Sequence, residues 1–210
     1  NGMAARNAAE TILVRLKSFL AERYQVRAAN IVHVAHGFWI KGEVIAFDAV
    51  IREAYMARVS LSATGFYATP EIHWDRPAAR GRPFYYFAYG AAVTEVAVDV
   101  LTGENRILRA DILHDVGRSL NPALDLGQIE GGYVQGAGWL TIEELVWDAK
   151  GRLMTHAPST YKIPCASDRP LDMRIALFER GENMADTIYK SKAVGEPPLM
   201  LGISALAALS

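Results

Sequence analysis

The sequence is short of cysteine, of unbalanced charge and of long apolar runs, and each shortage closes off a class of protein. Its single cysteine, Cys165, excludes an internal disulfide and any multi-cysteine zinc or iron–sulfur site, and fits a reducing, cytoplasmic setting. Basic and acidic residues nearly cancel, 22 against 23, and no basic run or stripe occurs. Nucleic acid and an anionic membrane surface are therefore not the expected partners. No apolar run is long enough to span a bilayer, and no signal-like segment opens the chain. The five histidines show no ligand spacing. His33 and His36, three apart on an expected strand, would point to opposite faces and cannot share a metal. No serine lies in a G-x-S-x-G elbow, and Cys165 has no histidine at a diagnostic distance, which leaves no nucleophilic triad. Gly132-x-x-x-Gly136-x-Gly138 lacks the Lys-Ser/Thr of a phosphate loop. If the chain serves an enzyme, the hard chemistry belongs to a cofactor that brings its own ligands.

What is present is an apolar half, 51% of 210 residues, enough for a substantial core. Asn1 is a candidate cap for a helix reaching about Tyr24, with Ile12, Leu13, Leu16, Phe19 and Leu20 at helical spacing. Ile31 to Ala35, Phe38 to Ile40 and Val44 to Phe47 read as strands, and a second helix starts near Asp48. Ser60 to Pro83 reads as a long loop, of a length that is often functional or partner-facing. Phe84 to Val100, the turn Leu101 to Asn105, and Arg106 to Val116 form a hairpin. Glu143 to Trp147 and Arg152 to His156 form another across Asp148-Ala149-Lys150-Gly151. Pro158 to Pro164 is expected to be extended, and Leu171 to Phe178 a strand. Tight turns between strands, interleaved with helices, predict an α+β fold with mixed or antiparallel sheet and packed helices, not a doubly wound parallel one.

Two stretches stand out. Asn121-Pro122 opens a helix to about Thr141 that holds Gly127, Gly131, Gly132, Gly136 and Gly138. At about 1 kcal/mol each relative to alanine, those glycines need an offset. Gly127, Gly131 and Gly138 fall on one stripe, where a backbone or a flat ligand could approach, with Gln128 and Gln135 beside it. The second stretch is Lys192-Ala193-Val194-Gly195-Glu196-Pro197-Pro198, before the apolar run Leu199 to Leu209. Pro197 should push Glu196 into an extended conformation and itself start a helix. Glu196 is then either an N-terminal cap or a functional acid/base. The last helix, apolar nearly all round, should be buried on both sides.

Lys192 to Pro198, together with Pro158-Ser159-Thr160-Tyr161-Lys162-Ile163-Pro164 and Leu120-Asn121-Pro122-Ala123-Leu124-Asp125-Leu126-Gly127-Gln128-Ile129-Glu130-Gly131, resembles the molybdenum-binding part of the molybdenum hydroxylases, the family of the xanthine dehydrogenases and aldehyde oxidases. The resemblance implies a molybdopterin-bound molybdenum cofactor, whose dithiolene holds the metal without protein ligands. It implies that Glu196 is the catalytic base, that Lys192, Ala193, Val194 and Gly195 line the cofactor, and that Gln128 contacts the pterin. A base needs a pKa near operating pH, so burial would have to balance the helix N-terminus that lowers it.

The implied reaction is hydroxylation of a purine by water, hypoxanthine and xanthine to urate. Electrons would leave through 2Fe–2S clusters and FAD carried by partner domains or an iron–sulfur/FAD subunit. An aldehyde or another N-heterocycle as substrate is the alternative within the family, and a non-catalytic packing domain the alternative outside it. The family's substrate-sandwiching aromatics, its purine-orienting arginine and second glutamate, its apical glutamine and its small-residue molybdenum cradle belong to regions before Asn1. Residues 1–210 are therefore expected to be the carboxy-terminal part of the molybdopterin-binding domain. They need the upstream part of their own subunit, within an oligomeric enzyme, and are inactive alone.

Overall fold

The computed structural model describes all residues, 1–210, and they divide into two compact units, Asn1–Glu71 and Ile72–Ser210.

In the first unit, α1 (Gly2–Tyr24) ends where Gln25 turns left-handed and returns its N–H to Ala21. A meander of three short antiparallel strands follows: β1 (Val32–Val34), β2 (Gly37–Ile40) and β3 (Glu43–Ala46). α2 (Phe47–Met56) completes the unit. Leu16 and Leu20 of α1 meet Ile31, Phe38, Ile40, Val50 and Ala54 in a closed core. His36 occupies the β1–β2 turn, not a strand, and its carbonyl accepts the N–H of Phe47 at 3.0 Å. His33 lies against Phe38, ring centroids 5.2 Å apart, in a structural role. The irregular stretch after α2 is pinned along α1, where Arg15 donates to the Ser62 carbonyl and Asn7 to that of Phe66.

In the second unit, part of the expected long loop is a small hairpin, β4 (His73–Asp75) with β5 (Arg80–Arg82). The main sheet has β6 (Gly90–Val98) antiparallel to β7 (Asn105–His114), with a register shift at Glu95/Val96. β8 (Asp172–Leu177) lies parallel on the other side of β7, so the sheet is mixed, as the α+β reading expects. Residues 84–89, expected to open the β6 strand, are irregular. The hydroxyls of Tyr85 and Tyr86 accept backbone N–H groups of Asp186 and Ala193, so this aromatic run serves tertiary contacts in place of a ladder.

α3 (Pro122–Thr141) starts as expected, with the Asn121 side chain accepting from Leu124 N–H and proline in the first turn. Its Ile129, Tyr133 and Ala137 pack on Ala110, Ile112 and Val116 of the sheet region. The Glu143–His156 hairpin keeps its turn but only one bridge, Trp147 to Leu153. Pro158 to Thr160 form a turn, closed by Tyr161 N–H on the Ala157 carbonyl, where an extended segment was expected. The chain ends in a 3-10 helix, Pro197–Gly202, and α4 (Ile203–Leu209). Ala205 is fully buried, but Met200, Ile203 and Leu206 are exposed, so this apolar run is covered on one side, not two. No helix is long and apolar enough to cross a membrane.

Candidate functional site

The glycines of α3 divide by what they face. A methyl carbon added at Gly136 would stand 2.0 Å from the Leu199 carbonyl oxygen, and one at Gly202 2.4 Å from the Ala137 amide nitrogen. At Gly132 it would stand 3.0 Å from Pro198 Cβ. Gly132, Gly136 and Gly202 therefore let the residues that follow Glu196 cross α3 almost backbone to backbone. The expected single stripe does not exist: Gly138 is closed off by Pro164, while Gly127 and Gly131 have no atom within 4 Å of an added methyl. Those two form an open shelf, with Gln128 exposed beside them.

The crossing fixes where residues 192–196 lie. From Lys192 to Gly195 the residues alternate in burial. Lys192 and Val194 point inward, Val194 against the α3–sheet core, while Ala193 and Gly195 are exposed. A methyl on Gly195 would sit 3.4 Å from Gln128 Oε1, so the structure brings the segment and the α3 shelf together. Glu196 is exposed, at the edge of the same surface. Its backbone is in the right-handed helical region, φ −97° and ψ −37°, not extended. The bias imposed by Pro197 yields because the Glu196 carbonyl accepts Leu199 N–H at 3.1 Å and starts the 3-10 turn. Its carboxylate makes no capping hydrogen bond, and it has no ion-pair partner in the chain. The backbone N–H groups of Val194, Gly195 and Glu196 likewise have no acceptor within the chain.

Beneath the segment is a buried ion pair. The Lys192 ammonium lies 2.5 Å from an Asp115 carboxylate oxygen, with side chains only 7% and 11% exposed. The other Asp115 oxygen accepts Gly117 N–H at 2.8 Å and rests against Gly181, where a methyl would come within 2.3 Å. Gly117 has φ +62° and passes so close to the Lys190 carbonyl that only glycine fits. Backbone bonds continue the attachment: Lys192 N–H to the Val116 carbonyl at 2.8 Å, and Ala193 N–H to the Tyr86 hydroxyl at 2.9 Å. Buried Asn183 donates to the Ser191 carbonyl and to Thr187. His114, next to Asp115, is buried with its Nδ1 unpartnered. Burial holds its pKa below the usual imidazole range, outweighing the nearby Asp115 carboxylate.

Sequence reasoning did not find Asp115, Tyr86 or Asn183. Asp115 is 77 residues from Lys192 and Tyr86 is 107 from Ala193, so no spacing links them. The one available signal is a carboxylate directly after an apolar strand with glycine two residues on, as in His114-Asp115-Val116-Gly117. A separate cleft of about 660 Å³ lies between the β6–β7 turn and the far end of α3, lined by Tyr133, Gly138 and Pro164; none of residues 192–196 reaches it.

Comparison with known proteins gives this geometry a context. The sequence profile of the molybdopterin cofactor-binding domain family matches residues 1–170. The xanthine dehydrogenase/oxidase of Mus musculus is 45% identical over 204 residues, 97% of this chain and 14% of that protein. Aldehyde oxidase 1 of Bos taurus is 40% identical over 209 residues, the full chain and 14% of that protein. The crystal structure of quinoline 2-oxidoreductase from Pseudomonas putida 86 superposes with a TM-score of 0.66 and 25% identity, over 95% of this chain and 25% of that one. The chain thus spans about one seventh of the length of the curated relatives it matches.

Proposed function

Since this chain belongs to the molybdopterin cofactor-binding domain family, we propose that it is the carboxy-terminal part of the molybdenum-binding region of a molybdenum hydroxylase that oxidises purines, with Glu196 as its base. The observation that carries this reading is the state of Glu196. It is a carboxylate at the start of a helix that does not cap that helix, and it is free of any partner beside the Gln128 shelf. A capping carboxylate would accept an N–H of the first turn. This one is left available.

The residues present fit a flat, hydrogen-bonding cofactor. Gly127 and Gly131 leave open space that added methyls would fill. Gln128 can both donate and accept, and three consecutive N–H groups, Val194 to Glu196, lack acceptors within the chain. Gln128, Ala193 and Gly195 are the residues that would hold the pterin. When bound, the molybdenum cofactor supplies the oxidation chemistry and its water-derived oxygen. The chain contributes a fixed backbone that orients that cofactor and a carboxylate, at Glu196 Oε, that takes up a proton as the oxygen is delivered.

The purine assignment is supported by the higher identity to the xanthine dehydrogenase/oxidase, 45%, than to the aldehyde oxidase, 40%. Turnover of hypoxanthine against benzaldehyde by the complete enzyme tests it, and preference for the aldehyde would reverse it. The upstream part of the subunit and an iron–sulfur/FAD partner complete the proposed enzyme. Glu196→Gln in that enzyme should lower turnover by about 10²–10⁴-fold with molybdenum content retained. Activity within threefold of wild type would remove Glu196 from the chemistry.

A further inference from the structure

Residues 193–196 must be held still if Glu196 is to act, yet this exposed stretch makes few contacts of its own. Ala193, Gly195 and Glu196 are exposed, and the three N–H groups after Ala193 bind nothing in the chain. On the carboxyl side the segment is seated by the glycine crossing with α3. Its amino side depends on what lies under Lys192. We infer that Asp115 is a positioning residue for Glu196, holding the segment from below through the Lys192 ammonium, with the Tyr86 hydroxyl as a second tie on Ala193. The inference rests on the reading of Glu196 as the base.

Four observations carry it. The ion pair is buried on both sides, so each charge strictly requires the other; an unpaired ammonium there would be expelled toward solvent and would pull the backbone with it. Asp115 is itself fixed at three points, by Gly117 N–H, by contact with Gly181 and by its own N–H on the Tyr89 carbonyl at 2.8 Å. It therefore positions Lys192 and does not follow it. The Lys192 ammonium also lies over the Tyr89 ring, 5.2 Å from its centroid, a further contact that holds it in place. Finally, the loop feeding the segment is wound tightly: Tyr189 and Lys190 are both left-handed, and the Lys190 carbonyl accepts from Arg118 and Asn183. A loop so constrained on one side transmits the position of Lys192 directly to Gly195 and Glu196. Asp115 touches no reacting group in this scheme. It acts through Lys192, which the alternation of the segment turns away from the open face.

The test uses the full-length enzyme carrying Asp115→Asn, Tyr86→Phe, Glu196→Gln and the Asp115→Asn/Glu196→Gln pair. Molybdenum per protomer, amide hydrogen exchange over 192–196, and kcat and KM are read for each. Asp115→Asn is expected to speed exchange within 192–196, read at the hydrogen-bonded Lys192 and Ala193 amides, by about tenfold or more while α3 and β7 keep their protection. It should lower kcat by about 10–100-fold with KM changed less than threefold, since a displacement of about 1 Å suffices for such a loss. On the Glu196→Gln background, Asp115→Asn should cost less than a further threefold, because both changes disable one group. Asp115→Glu should recover part of the loss. Should Asp115→Asn fail to fold, Tyr86→Phe, which leaves the ion pair intact, is expected to show the same pattern in weaker form. Unchanged exchange over 192–196 in the soluble variants overturns the anchor, as do losses that multiply in the pair. Turnover that survives Glu196→Gln overturns the base reading; faster exchange in Asp115→Asn would then still support the anchor as what holds the segment.

Discussion

Two alanine substitutions on one helix should have opposite signs. Gly131 and Gly136 sit in the middle of α3, and in an isolated helix each change to alanine would gain about 1 kcal/mol. At Gly131 the added methyl meets no atom within 4 Å, so the full gain is expected, raising the melting temperature by about 2–4 °C. At Gly136 the same methyl would lie 2.0 Å from the Leu199 carbonyl oxygen and 2.9 Å from its carbon. Ordinary contact is above about 3.4 Å, so the last segment must retreat by more than 1 Å, and overpacking of that kind costs about 1–3 kcal/mol or more. Backbone cannot swing aside as a side-chain tip would, which places the cost at the upper end. The net for Gly136→Ala is then a loss of about 2 kcal/mol and about 4–8 °C. Thermal and denaturant unfolding followed by circular dichroism would read both. If Gly136→Ala matched or exceeded Gly131→Ala in stability, the backbone-to-backbone crossing would be wrong, and with it the seating of Glu196.

The other predictions concern the core below the site. Tyr133→Phe removes a hydroxyl bonded at 2.8 Å to Thr94, which keeps Ser204 as a partner at 2.7 Å; a loss of about 1 kcal/mol in chemical denaturation is expected. Because burial depresses the His114 pKa below its unfolded value near 6.5, the unfolded chain binds the proton first. Stability should be level above about pH 6.5 and fall as pH drops below it, until folded His114 itself titrates. His114→Leu should flatten that slope, and an unchanged slope would assign it to other groups.

Much of the local structure was legible from the chain. Asn121-Pro122 announced α3 to the residue, because capping and proline act within one turn. Leu101 to Asn105 and Asp148 to Gly151 announced their turns, with Gly103 at φ +78° and Gly151 at φ +75°, because left-handed backbone favours glycine. The α+β class followed from the same signals. Two of the errors come from neighbours distant in sequence and one from a local turn. Residues 84–89 have strand composition but spend two tyrosine hydroxyls on the 186–193 loop. Glu196 precedes proline but is drawn into a helical turn by Leu199. The five glycines gave one pattern, and only the path of the last segment determined that Gly132 and Gly136 are covered while Gly127 and Gly131 are open.

The sequence by itself determined the long helices, the main hairpin with its turn, and the short segment that carries Glu196, since each depends on residue type and spacing within a few positions. Only the tertiary structure decided that Gly195 lies beside Gln128, that Lys192 turns inward to Asp115, and that the Glu196 carboxylate stays free of the helix it begins. Buried charge pairs and close backbone crossings form between residues tens of positions apart, and no local periodicity encodes them.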